Sequence, residues 1–146
     1  MKEFYTRQTA NEGVELPLYH PDGTISKHWI RVRGVDSDHF RQAEAKAKRS
    51  AVELAQIKNE QERAKAVRRT ELECIAALVA GWSFEEMEAT HENVVTFLTE
   101  APQIADMINR FAARRAEFFG KKSKSSASGS RKKSSSRSAP KAQKRS

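Results

Sequence analysis

The side chains whose types could do chemistry in this sequence are few: His20, His28, His39, His91, Cys74 and the adjacent pair Glu85-Glu86. A protein zinc site draws its ligands in close pairs on one helix face or turn. The four histidines fall instead in a turn, a strand and two helix starts, with no His-x-x-x-His or Cys–His spacing. Cys74 lies in an apolar helical stretch beside Ile75 and Leu78, the setting of a buried structural thiol rather than a nucleophile. No Gly-rich phosphate loop and no G-x-S-x-G elbow is present. Glu85-Glu86 belongs to a predicted helix start, where carboxylates favour the helix dipole. The residues therefore assign no catalytic group, no cofactor and no metal, and a non-enzymatic protein is expected.

Charge is the other source of chemistry, and it is unevenly spread. Residues 1–119 hold 17 Lys/Arg and 19 Asp/Glu, a net of −2, whereas residues 120–146 hold ten Lys/Arg and no acid. The net +8 of the chain thus belongs to its C-terminal segment. There Lys121, Lys122, Arg131, Lys132, Lys133, Lys144 and Arg145 are spaced by Ser-rich stretches, forming an electrostatic tail expected to be disordered. Two readings of it stay open: contact with nucleic acid or an acidic surface through charge neutralisation, or a solubilising extension. No aromatic residue follows Phe119, so the tail offers no stacking platform for single strands.

The elements that must position anything functional are mostly helical. Val14, Leu16 and Leu18 alternate with polar residues. The turn His20-Pro21-Asp22-Gly23-Thr24 follows, and Trp29-Ile30-Arg31-Val32-Arg33 alternates again. This is a β-hairpin pattern, with Pro17 placing the first strand at an edge. From Asp38 to about Ala80 there is no Pro or Gly, and Phe40, Ala43, Ala47, Ala51, Leu54 and Ile57 form one apolar stripe. The stretch Lys58 to Ala66 reads either as an exposed helical extension or as a connection between two helices. The stripe resumes at Val67, Leu72, Ile75, Leu78 and Val79 and ends at Gly81. Ser83-Phe84-Glu85-Glu86 has the form of a capping box, with Trp82 and Met87 as its hydrophobic staple, predicting a short helix to about Ala89. Thr90 caps a further helix carrying Val94, Val95, Phe97 and Leu98. Pro102 opens a last one lined by Ile104, Met107, Ile108, Phe111, Ala112 and Phe118, with Gly120 as its C′ residue.

The expected fold class is mainly α (α+β): an N-terminal hairpin, a helical domain of about four helices and a basic tail. Residues 1–13 give little structural signal and are expected as a flexible N-terminus, residues 14–119 as the folded domain, and residues 120–146 as the tail. One cysteine excludes an intrachain disulfide and suits a reducing compartment. No apolar run nears the roughly 20 residues that span a bilayer, and Met1 to Glu15 lacks a signal-peptide core. A soluble cytoplasmic protein without membrane contact is expected.

The order of these pieces resembles the tail assembly chaperones of long-tailed bacteriophages. The likeness is carried by the hairpin ending in Trp29-Ile30-Arg31-Val32-Arg33-Gly34-Val35-Asp36-Ser37-Asp38 and by the long Ala/Glu/Lys/Arg helix after it. Next come Leu78-Val79-Ala80-Gly81-Trp82-Ser83-Phe84, His91-Glu92-Asn93-Val94, Ala101-Pro102-Gln103-Ile104 and the helix ending in Phe118-Phe119. The resemblance implies a protein of the host cell cytoplasm that binds the tape measure protein, keeps it soluble and is absent from the finished virion. It also implies a longer form made by ribosomal frameshifting, whose extension recruits the tail tube protein; codons for Gly120-Lys121-Lys122 can supply a slippery run. On this reading the client-binding stripe is Trp82, Phe97, Ile104, Met107 and Phe111, the alternative being that these residues are core. A strongly basic tail is not a family trait, and the alternative function is a small nucleic-acid-binding protein using that tail. Oligomeric state is left open by the sequence.

Overall fold

The computed structural model describes residues 1–119; the basic segment from Gly120 onward, with the expectations placed on it, lies outside the described residues. Strands β1 (Val14–Tyr19) and β2 (Ile25–Val32) form the expected hairpin, turning at residues 20–24. The turn is closed by Asp22, whose carboxylate accepts from the Thr24 amide and hydroxyl. Pro17 faces Trp29 on β1, an edge strand that has a neighbour on one side only. A missing N–H is tolerated there.

A third strand, β3 (Val79–Trp82), pairs antiparallel with β2 and makes β2 the centre of a three-stranded sheet in the order β1-β2-β3. The sequence reading had continued the helix through this segment to Gly81. The helix instead stops at Ala76, because Arg33 draws the chain into the sheet. Its guanidinium donates to the carbonyls of Ala77 and Val79 at 3.1 and 3.0 Å, and its amide donates to Leu78. These carbonyls would otherwise lack partners at a helix C-terminus.

The helices account for most of the chain. Helix α2 (Asp38–Ala55) is capped by Ser37, whose buried hydroxyl accepts from Phe40 N, and α3 (Glu60–Ala76) by Asn59, which accepts from Glu62 N. The two form an antiparallel pair joined at residues 56–59. Of the two readings offered for this region the connection is therefore the one found, at Gln56–Asn59 rather than Lys58–Ala66. Helix α4 (His91–Glu100) begins at the Thr90 cap and α5 (Pro102–Ala113) has Pro102 in its first turn, both as expected. The chain leaves helical geometry at Arg114, so Phe118 is buried from a separate 3₁₀ turn, Arg115–Phe118.

Residues 1–13, which carried no clear signal, contain a 3₁₀ turn (Lys2–Phe4) and helix α1 (Arg7–Glu12). Ala10 is buried there, against Gly34. A Cβ at Gly34 would stand 3.0 Å from Ala10 Cβ and 3.2 Å from the Phe118 ring, so only glycine lets both terminal segments close over this turn. The core runs between the inner face of the sheet (Leu16, Leu18, Ile30, Val32) and the apolar faces of α3, α4 and α5, with Leu78, Leu98 and Ile108 fully enclosed. By contrast α2 has no buried residue at all.

Candidate functional site

The segment predicted as a short helix, residues 83–89, is irregular, and its reason lies across the sheet. Ser83 was expected to cap a helix. Its hydroxyl instead accepts from Trp29 N at 2.9 Å and sits 3.2 Å from His28 Nδ1, while its own amide donates to Trp29 O. A serine engaged in a strand ladder cannot also cap a helix. The staple pair does meet, through a hydrogen bond: Trp82 Nε1 donates to Met87 O at 2.8 Å. Asn93 Nδ2 then donates to Glu88 O at 2.9 Å, tying the end of the segment to α4.

Held at these three points, the segment and α4 enclose a cleft of about 310 Å³, open to solvent. Its floor is aromatic. The Trp82 ring lies 5.1 Å from Phe84 and 5.6 Å from Phe97, both edge-on, and Phe84 lies 5.2 Å from Phe97. Such edge-to-face geometries are favourable beyond the area they bury, so the floor is pre-organised. Met87, exposed, forms a wall, and Glu86, Glu100 and Thr96 line the border. The His28 ring meets Phe84 at 4.8 Å in a tilted geometry and supports it from β2.

Of the residues singled out from the sequence, the structure brings Trp82 and Phe97 together in this cleft. Ile104 and Phe111 are 4% and 6% exposed and belong to the core, and Met107 is half-buried against it, so α5 contributes nothing to the cleft. The tail residues Lys121, Lys122, Arg131, Lys132, Lys133, Lys144 and Arg145 lie outside the described residues. Phe84, Glu86 and Met87 were read only as parts of a capping box and its staple, and Glu100 was not singled out. For Glu100 the signal was its helical spacing of three from Phe97; the irregular segment holding Phe84, Glu86 and Met87 carried none.

The charged residues that line the cleft, Glu86 and Glu100, are both acidic. Residues 70–109 contain eight Asp/Glu and no Lys or Arg, whereas residues 38–69 contain nine Lys/Arg and five Asp/Glu. Among the described residues neither Glu86 nor Glu100 has an ion-pair partner.

A second polar cluster has the opposite character. Asp36 accepts from Arg115 Nε and Nη2 at 2.8 and 2.9 Å, from Thr6 Oγ1 at 2.8 Å and from Arg41 Nη2 at 3.2 Å. The Arg115 hydrogen bonds, then those of Thr6 and Arg41, hold its carboxyl at a pKa of about 2 although partial burial opposes this. Asp38 nearby accepts from Arg7 and Asn11. These contacts fasten both terminal segments to the start of α2.

Cys74 is half-buried, its thiol 3.7 Å from Ala43 O, and burial with Glu44, Glu73 and Glu71 around it pushes its pKa up. That setting suits a structural thiol. Among the described residues no three His, Cys, Asp or Glu side chains group in a way that could hold a metal, and no helix is long and apolar enough to cross a membrane.

No match is found among curated proteins or among solved structures. The family model for phage tail assembly chaperones matches residues 6–125, which takes in α1, the sheet, both sides of the cleft and the Asp36 junction, and on that extent the chain belongs to the phage tail assembly chaperone family.

Proposed function

We propose that this chain binds the tape measure protein of its phage in the host cytoplasm, keeps that long helical chain soluble until the tail tube forms around it, and is absent from the finished virion. The observation that carries this reading is the solvent-open aromatic cleft on a body of the assembly chaperone family. A tape-like helix exposes apolar side chains that self-associate before the tube covers them. A rigid apolar cleft shields such side chains by burying them reversibly, at roughly 25 cal/mol per Å² of apolar surface removed from water. The role is non-catalytic: binding energy alone does the work.

The test is co-expression of the full chain with the tape measure protein of the same phage, followed by size-exclusion chromatography at low salt. Co-elution, together with recovery of the tape protein in the soluble fraction, is expected. A tape protein equally soluble without the chain, or no co-elution at low salt, overturns the reading. A longer form joined near Gly120-Lys121-Lys122 is part of the proposal, and the nucleotide sequence tests it: absence of a heptameric slippery run there removes it. The extension would then bring the tube protein to the same complex. The nucleic-acid reading rests on residues 121–146 rather than on the aromatic cleft, which is bordered by acids that repel phosphate.

A further inference from the structure

The floor and the border of the cleft are chemically distinct, and together they narrow what can sit there. The floor of Trp82, Phe84, Phe97 and Met87 accepts any large apolar side chain. The border is selective: Glu86 and Glu100 have no ion-pair partner among the described residues, in a stretch of forty residues without a Lys or Arg. Like charges brought against unpaired carboxylates are repelled, and cations are drawn to them, so the border discriminates among segments that the floor would take equally.

We propose that the cleft docks a basic amphipathic segment of the client, one that inserts one or two large aliphatic or aromatic side chains and carries Lys or Arg on the adjoining turns. This rests on the chaperone reading and specifies the client chemistry it uses. The chain's own tail supplies the charge but no anchor, because residues 120–146 contain no aromatic residue and no Leu, Ile, Val or Met. Exposed ion pairs each contribute little, so the anchor sets most of the affinity while the acids set the preference.

The experiment uses three synthetic helical peptides of about 18 residues, long enough to hold helical structure. One has a Leu/Phe stripe with Lys elsewhere, one the same stripe with Glu elsewhere, and one Lys and Ser with no large apolar residue. Each is titrated onto the full chain while the indole N–H signals of Trp82 and Trp29 are followed by NMR. The Lys/Leu/Phe peptide is expected to shift Trp82 and leave Trp29 nearly still, and to bind at least about tenfold more tightly than the other two. The double variant Glu86→Gln/Glu100→Gln should weaken it roughly three- to tenfold and flatten its salt dependence. Thr96→Arg, at an exposed lining position one helical turn from Glu100, should block it without disturbing the core.

Equal binding of the Glu peptide overturns the proposal, as does equal binding of the Lys/Ser peptide, which would make the site a cation-binding surface open to the tail. Shifts centred on Trp29 overturn it as well. Co-elution of the tape protein with an unimpaired Thr96→Arg variant keeps the chaperone reading and removes this one. Peptide selectivity without co-elution does the reverse.

Discussion

The Asp36 junction and the Trp82–Phe97 cleft both gather charged residues at the surface, and they use them in opposite ways. At the junction every charge is answered from within the chain: one carboxylate takes Arg115, Arg41 and Thr6, and the next takes Arg7 and Asn11. At the cleft Glu86 and Glu100 are exposed beside half-buried aromatic rings, and among the described residues no cation pairs with them. Internal satisfaction holds a fold together, whereas charge left unpaired beside apolar surface is free for a partner. The difference predicts that substitutions at the junction change stability and those at the cleft change binding.

The largest effect is expected at Phe118, which closes the junction from the C-terminal side and is 1% exposed. Phe118→Ala should cost about 3–5 kcal/mol in urea denaturation, with peptide binding at the cleft unchanged in the fraction that remains folded. A loss below about 1 kcal/mol would show that the 3₁₀ turn is not part of the cooperative unit.

Asp36 comes next, and its effect depends on pH. Its folded pKa of about 2 lies below the ordinary value of 3.8, so its contribution is present above that ordinary value and is lost as pH falls toward 2. The shift corresponds to about 2 kcal/mol at neutral pH. Asp36→Asn should remove that amount and flatten the stability profile between these two pH values; an unchanged acid limb would break the contrast drawn here.

A smaller effect is expected at Ser83, which joins the two regions' shared sheet to the cleft. Ser83→Ala removes the acceptor of Trp29 N and should cost about 1 kcal/mol. It should also speed hydrogen exchange at the Trp82 indole, because the wall of the cleft loses one of its three ties. Least of all, Glu86→Gln/Glu100→Gln should alter stability by no more than about 0.5 kcal/mol in either direction. A loss comparable to that of Asp36→Asn would place these acids in the fold rather than in recognition.

Where the sequence was legible, the determinants were local. The turn at 20–24, the Thr90 cap and Pro102 at the start of α5 each act within a few residues, and each element formed where those residues indicated. The failures share a cause too. Strand β3 exists because Arg33 and Trp29 reach residues more than forty positions away, which no window along the chain contains. Ser83 satisfied the capping-box pattern locally and was claimed by the sheet instead. Helix α1 is short and polar except at Ala10, and it is fixed by Asp36, Asp38 and Gly34 rather than by its own propensity. The cleft was half legible: Trp82 and Phe97 were named, but Ile104 and Phe111 were grouped with them because a helical stripe does not say whether it faces the interior or a partner. The tail expectations fall on residues beyond 119 and are unaffected by these findings.

One consequence of the junction concerns connectivity. A single carboxylate bonds both Thr6 and Arg115, residues 109 positions apart in the chain but side by side in space. Among the described residues the path of the backbone therefore closes almost into a ring at Asp36. A peptide joining the two segments outside Phe118, with a new opening cut in the Gln56–Asn59 connection, would leave the described core contacts in place. Such a permuted chain would keep the cleft whole while placing the new opening at the α2–α3 connection, away from the junction.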